Sequence, residues 1–312
     1  IRLRDYQVDV VNKFIETPQA LQEIATGAGK TIMTATLSKI VEKYGRSIVI
    51  VPNKDLVRQT EEDYINCGLD AGVYFGDCKD LLTGIFANVP LRWGLTGTIP
   101  KSDHEFATIR SSLGEVINRL AAKDLQDIGV LANCHVNVVQ TQETSEYTDY
   151  QGELKFLLED KKRQVFLANL ITEVSQTGNT LVLIGRINVG VALQELLPDA
   201  TFVQGAMKTT DRKEAYTEIN EATNSITIAT YGVAAVGINI PRIFNLVLLE
   251  PGKSFVRVIQ SIGRGVRVAK DKDSVQIWDV TSRCKFSKRH LTERKKFYKD
   301  AEYPFSVEKV KY

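Results

Sequence analysis

Residues 25–31 read ATGAGKT, between an apolar run, Leu21–Ala25, and an amphipathic stretch that opens at Lys30. An apolar run, a glycine-rich turn and a helical period in that order predict strand, loop and helix, the context a phosphate-binding loop requires. Gly27 and Gly29 let the backbone N–H groups of Thr26, Gly27, Ala28 and Gly29 converge on phosphate oxygens where a Cβ would obstruct the turn. The start of the next helix adds a partial positive charge. Lys30 would neutralise the β- and γ-phosphates of ATP, and the Thr31 hydroxyl would ligate Mg²⁺. Ile24 stands where the strict form of the motif has its first glycine. The bland alternative is a glycine turn that merely starts a helix.

Working outward, apolar strands alternate with amphipathic helices along most of the chain, which predicts an α/β protein with parallel sheets. Before the loop, Tyr6, Val10 and Phe14 recur at helical spacing within residues 5–16. After it, the pattern predicts a helix over 30–44, a buried strand at Ser47–Val51, a helix over 54–64, strands at 73–75 and 93–95, a helix over 115–127 and a connecting strand at 136–140. Residues 142–152 (QETSEYTDYQG) are polar and read as a linker. The pattern then restarts, with helices over 162–176, 188–197, 211–221 and 254–263 and strands at 180–184, 201–203, 226–229, 246–249 and 275–280. A helix over 287–302 ends the chain. The expected layout is a first α/β domain over 1–141, the linker 142–152, a second domain over 153–282 and a basic tail helix in 283–312.

At 312 residues, 43% hydrophobic and 25% charged, the chain is ordinary globular protein with room for about two domains. No apolar run is long enough to cross a bilayer. Cys67, Cys78, Cys134 and Cys284 form no CxxC pair, and His104, His135 and His290 are scattered, so neither a disulfide framework nor a zinc site is expected. The net charge of +2 is unevenly spread: residues 1–148 hold 15 Lys/Arg against 19 Asp/Glu, 149–282 hold 15 of each, and 283–312 hold 10 against 4. That tail suits a polyanionic partner, or simple solvation. The chain opens at Ile1 without an initiator Met, as a piece of a longer protein would.

A second motif lies in the second half. Residues 260–267 read QSIGRGVR, and Arg264 and Arg267, three apart, project to one side of a helical turn. Such arginines can stabilise charge on a γ-phosphate held by another domain. Together, the loop and these arginines resemble motifs I and VI of superfamily 2 helicases and translocases. Further segments are similar to that family's motifs in order: LRDYQ (3–7), with Arg4 and Gln7, to the adenine-recognition segment; IVIVPNKDLVRQT (48–60) to motif Ia; LTGT (95–98) to motif III; NTLVLIGR (179–186) to motif IV; and IATYGVAAVGINIP (228–241) to motif V.

The combination looks most like the UvsW-type phage recombination helicases. The resemblance implies two tandem RecA-like domains and an ATP-dependent DNA helicase or translocase acting on branched or single-stranded DNA, or on RNA–DNA hybrids. It implies a monomer in the cytoplasm, the host's if phage-encoded. Lys30, Gln260, Arg264 and Arg267 would be catalytic. Arg4, Gln7, the loop residues and Gly237 would hold nucleotide. Pro52, Arg58, Arg186, Gly205 and Thr230 would grip the nucleic-acid backbone. A translocase that moves on duplex without separating strands, and a binding scaffold that hydrolyses poorly, remain as alternatives.

One expected part has no match. The family's acidic DExH-type segment, whose Asp holds metal and whose Glu positions water, finds no counterpart: Asp77 has no adjacent Glu, and Glu250 falls after motif V. Only 17 residues separate Phe75 from Trp93, too few for the crossovers that further parallel strands require. An excision near Asp80–Leu81 is expected.

Overall fold

The structure, a computed structural model, describes residues 1–51, 54–74, 88–97, 99–100, 102–205, 207, 216–237, 242–252, 274–300 and 302–312. The expected excision near Asp80–Leu81 lies outside them. The chain divides into two units, Ile1–Leu125 and Gln126–Tyr312.

In the first unit, α1 (Asp5–Glu16) turns Val10, Val11 and Phe14 inward. It leads into β1 (Gln19–Ile24), followed by α2 (Lys30–Val41), α3 (Lys54–Asn66), β2 (Arg92–Thr96), α4 (Asp103–Leu113) and β3 (Val116–Leu120). α5 (Ala122–Asp127) runs across the division. β1 lies between β2 and β3, parallel to both. The continuous helix expected over 115–127 is thus a strand followed by a short helix. Gly114 ends α4 at φ 101° so close to β1 that a Cβ there would lie 2.4 Å from the Gln19 carbonyl oxygen. The chain is thereby laid alongside β1, where Val116 and Ile117 suit a ladder position. Asp124 then caps the next turn by accepting the Ala121 N–H at 2.7 Å.

The strand expected at Ser47–Val51 does not form. Ile48 is 71% exposed, and Val49 and Ile50 are exposed as well. A strand needs a neighbour, and among the described residues β2 pairs with β1 alone. Val73 and Tyr74 are likewise exposed and outside any strand, while Phe75 lies outside the described residues.

The second unit runs β4 (Asn133–Thr141), α6 (Tyr150–Glu159), α7 (Lys161–Ser175), β5 (Thr180–Ile184), α8 (Ile187–Leu196), β6 (Thr201–Val203), β7 (Ile226–Thr230), α9 (Tyr231–Gly237), β8 (Asn245–Leu249), β9 (Ser274–Ser282), α10 (Lys285–Asp300) and β10 (Phe305–Val310). Its seven strands are parallel, in the order β10-β4-β9-β8-β5-β7-β6. Alternate residues feed opposite cores: Leu181, Leu183, Leu246 and Leu248 on one side, Val182, Ile184 and Val247 on the other. Burial on both faces explains why these strands read as unbroken apolar runs.

The expected boundary at 141 is corrected. β4 pairs with β9 from Asn133↔Ser274 to Thr141↔Ser282, so it belongs to the second unit. Residues 142–152 are not wholly linker either, because Asp149 caps α6 by accepting the Gly152 N–H at 2.9 Å. The expected tail helix is α10, shifted two residues earlier, and β10 after it was not expected. The helix expected over 254–263 and the start of that over 211–221 lie outside the described residues. Among the described residues, no helix is long and apolar enough to cross a membrane.

Candidate functional site

The loop 25–31 joins the end of β1 to the start of α2, as its sequence predicts. Gly27 (φ 89°) and Gly29 (φ 79°) both take the left-handed conformation that disfavours any residue with a Cβ. Gly29 sits at the N-cap of α2, so the orphan N–H groups of the first turn open toward the loop. Lys30 Nζ donates to the carbonyls of Ile24 (3.0 Å) and Ala25 (3.2 Å), which holds the cation over the loop's own backbone.

The segment ahead of the loop closes on it. Gln7 is buried, with its Oε1 accepting the Arg4 N–H at 3.0 Å and its Nε2 donating to the Ala28 carbonyl at 2.9 Å. The Tyr6 hydroxyl donates to that same carbonyl at 2.9 Å. Sequence reading passed over Tyr6 except as a helix-face residue. Arg4 is exposed at the N-cap of α1. A Cβ on Gly29 would come within 2.7 Å of Gln7 Nε2. We therefore expect Gly29→Ala to cost about 1–2 kcal/mol of backbone strain and to weaken nucleotide binding several-fold by dislodging Gln7. Equilibrium titration with a fluorescent ATP analogue, beside a melting curve, checks both effects.

Residues 95–97 of the LTGT segment reach the loop from the neighbouring strand, and Thr98 lies outside the described residues. β2 ends at Thr96, in register with Glu23 of β1. A Cβ on Gly97 would stand 2.9 Å from Thr26 Oγ1 and 3.7 Å from Lys30 Nζ. Three expected pieces, residues 3–7, 25–31 and 95–97, therefore meet in one place. The cradle fits a polyphosphate: positive-φ glycines, a helix start and an adjacent lysine. For Mg²⁺ it supplies the Thr31 hydroxyl at half-buried depth. Among the described residues no cluster of three acidic, His or Cys side chains could complete a metal site.

In the second unit, Arg186, Gly205 and Thr230 follow or end β5, β6 and β7, neighbouring strands of one parallel sheet. They therefore share the carboxyl ends of the strands, where open α/β sheets take their ligands. Arg186 is half-buried and donates to Gln151 Oε1 at 2.8 Å. Thr230 Oγ1 accepts the Val233 N–H at 3.3 Å at the start of α9, and Val233 packs beside Gly205. Gly237 ends α9. Arg58 is exposed on α3 of the first unit. Pro52, Gln260, Arg264 and Arg267 lie outside the described residues.

Sequence reading missed a buried charge network at the same strand ends. Glu250, just after β8, has φ 44° and is 5% exposed. Its carboxylate accepts from Arg163 Nη2 at 2.7 Å and from Ser287 Oγ at 3.1 Å. Glu153 accepts the backbone N–H groups of Phe286 and Ser287. Arg294 grips both oxygens of Asp279 at 2.8 and 2.9 Å and donates to the Pro251 carbonyl at 2.6 Å; the Tyr298 hydroxyl donates to Asp279. Burial alone would lower the Arg294 pKa, yet the Asp279 carboxylate holds it above the usual guanidinium value. The available signal was Asp279 itself, a charge in the middle of an apolar strand, which demands a partner. Glu250, which falls after motif V and so finds no place in a DExH-type segment, is tied into this network.

Comparison with known proteins adds the family. Residues 1–136 match the model for the type III restriction enzyme res subunit, and residues 161–269 match the helicase conserved C-terminal domain. The ATP-dependent DNA helicase UvsW of Enterobacteria phage T4 is 22% identical over 356 aligned positions, 94% of this chain and 71% of the relative. The crystal structure of T4 UvsW superposes with a TM-score of 0.51 at 17% identity, covering 100% of this chain and 77% of that one. The type ISP restriction-modification enzyme LlaBIII bound to DNA gives 0.66 at 13% identity, over 100% of this chain and 31% of that one. Dbp5 of S. cerevisiae bound to RNA and ADP BeF3 gives 0.63 at 14% identity, over 98% and 89%. Both units are thus RecA-like, and with a restriction-motor model on its first part and a helicase C-terminal model on its second, the chain belongs to the ATP-hydrolysing superfamily 2 helicases.

Proposed function

We propose that the protein is a DNA helicase or translocase that remodels branched DNA or RNA–DNA hybrids and draws its work from ATP bound at residues 25–31. The observation that carries this reading is the meeting of residues 3–7, 25–31 and 95–97 around one phosphate cradle. Gln7 and Tyr6 fix the Ala28 carbonyl, and so set the direction of the loop's N–H groups. Lys30 takes the charge of the β- and γ-phosphates, and Thr31 offers a hydroxyl to Mg²⁺, which when bound would screen phosphate charge. Gln260, Arg264 and Arg267 are assigned to stabilising the charge that develops on the γ-phosphate. Arg58 and Pro52 of the first unit, with Arg186, Gly205 and Thr230 of the second, are assigned to the DNA backbone. Backbone contacts of this kind position a strand without reading its sequence.

A second reading, nucleotide binding with poor turnover, draws on one observation. The match to UvsW runs over 356 positions although this chain has 312 residues, so the relative carries residues that this chain lacks. Together with the 17 residues between Phe75 and Trp93, this supports an excision that removed the DExH-type segment. ATPase rates without DNA, with linear duplex and with a branched junction separate the readings. Stimulation by the junction above linear duplex is expected for the first. Binding of nucleotide with no turnover on any DNA would support the second, and equal stimulation by both DNAs would favour a duplex translocase.

A further inference from the structure

α10 carries seven of the ten Lys/Arg of residues 283–312, and apart from the half-buried Lys295 they separate onto two faces. The inward face is Ser287, His290, Leu291, Arg294 and Tyr298, all buried, and Arg294, the basic residue of that face, is matched by Asp279. Outward stand Lys285, Lys288, Arg289, Lys296 and Lys299, all exposed. Offsets of 3, 4, 11 and 14 residues from Lys285 keep them on one side of the helix. None of these five side chains enters an ion pair among the described residues; Lys285 rests over the Phe286 ring at 5.6 Å. The helix beneath them is fixed at both ends of its length: Glu153 takes the N–H groups of Phe286 and Ser287, and Asp279 holds Arg294 and Tyr298. The cations therefore sit on a rigid rod rather than a loose tail.

We propose that this outward face of α10 binds the phosphate backbone of duplex DNA, adding a contact beyond the strand-end residues. The proposal rests on the DNA-motor reading above. At 1.5 Å per residue, Lys285 to Lys299 spans about 21 Å. A duplex presents one charge per about 1.7 Å of axis, so a straight row of cations of this length lies along a stretch carrying about a dozen phosphates and can reach those on its near side, on a rod as stiff as itself. Single-strand grooves pair cations with exposed aromatic platforms on which bases stack. This face has none: Phe286 and Phe297 are half-buried and Tyr298 is buried. Charge without aromatics selects the duplex arm of a substrate, whatever its sequence.

The test compares the wild-type chain with the variant Lys288→Gln/Arg289→Gln/Lys296→Gln/Lys299→Gln. Fluorescence anisotropy over a salt series gives affinity for a blunt duplex and for a single strand of equal length. For the variant, the duplex slope of log affinity against log salt is expected to become shallower by about 3–4, with affinity at 0.1 M salt reduced about tenfold or more. Single-strand affinity stays within about twofold, and the melting midpoint is unchanged because these side chains support no packing. If the variant unfolds non-cooperatively, Lys296→Gln/Lys299→Gln is read instead, with a slope change of about 2. Unchanged duplex affinity and slope in a variant of a wild-type chain that does bind DNA would overturn this inference alone. Equal losses on duplex and single strand would also overturn it. A wild-type chain with no affinity for any DNA would sink the motor reading first.

Discussion

Arg294→Ala should lower the stability of the second unit by about 3–5 kcal/mol. The argument is one of abandonment rather than of lost attraction. Arg294 is 3% exposed and Asp279 fully buried, and the guanidinium supplies two hydrogen bonds to that carboxylate plus one to the Pro251 carbonyl. Without it, Asp279 keeps only the Tyr298 hydroxyl among these donors, in a place water does not reach. The double variant Arg294→Ala/Asp279→Ala should recover a substantial part of the loss, since it removes the stranded charge. Chemical denaturation followed by circular dichroism measures both; a single variant within about 1 kcal/mol of wild type would show that the site is open to solvent. Because Arg294 also fixes the carbonyl of Pro251, just after the left-handed Glu250, the variant should loosen the chain where it leaves β8.

The second large effect concerns turnover. Lys30→Ala should reduce ATP hydrolysis by roughly 10²–10³-fold, the usual loss when one preorganised charge is removed from a transition state. It should leave the melting midpoint near that of wild type. Lys30 Nζ donates to the backbone carbonyls of Ile24 and Ala25 at the loop's edge, and α2 keeps its core through Met33, Ala35 and Leu37. Steady-state ATPase assays with and without DNA read the effect. A variant that retains more than about a third of the wild-type rate would remove Lys30 from the mechanism.

The parts of this molecule that were legible in its sequence are those whose signals are local. The phosphate loop announces itself because two glycines, a lysine and a threonine follow an apolar run, and a left-handed turn at a helix start admits little else. The second unit's strands were legible because a parallel strand covered on both faces is apolar at every position. What stayed hidden depends on partners remote in sequence. Ser47–Val51 looks like a strand by composition, yet a ladder requires a neighbour, and no described strand supplies one. Val116–Leu120 was masked by its helix-compatible surroundings, and only the approach of Gly114 to Gln19 decides the matter. The Glu250 and Asp279 network joins residues as far apart as Arg163 and Glu250, or Glu153 and Ser287, distances over which no periodicity speaks. Of the site, the cradle was readable, whereas the double grip of Gln7 and Tyr6 on one carbonyl was not.

The place of β10 sets a timetable for the chain's birth. It pairs with β4 from Phe305↔Val136 to Val310↔Thr141, and the other neighbour of β4 is β9, at residues 274–282. Once β4 has been made, a ribosome adding about 5–20 residues per second needs about 10–30 s to deliver β10. For most of that interval β4 has neither of its neighbours, and β9 arrives only shortly before β10. The described strands of the first unit, by contrast, are all made by residue 120. The first unit can thus settle while translation continues, and the second must wait for its last residues. Nascent chains cut short before residue 305 would leave β4 uncovered at the sheet's edge, and those products are where chaperone demand and aggregation should concentrate.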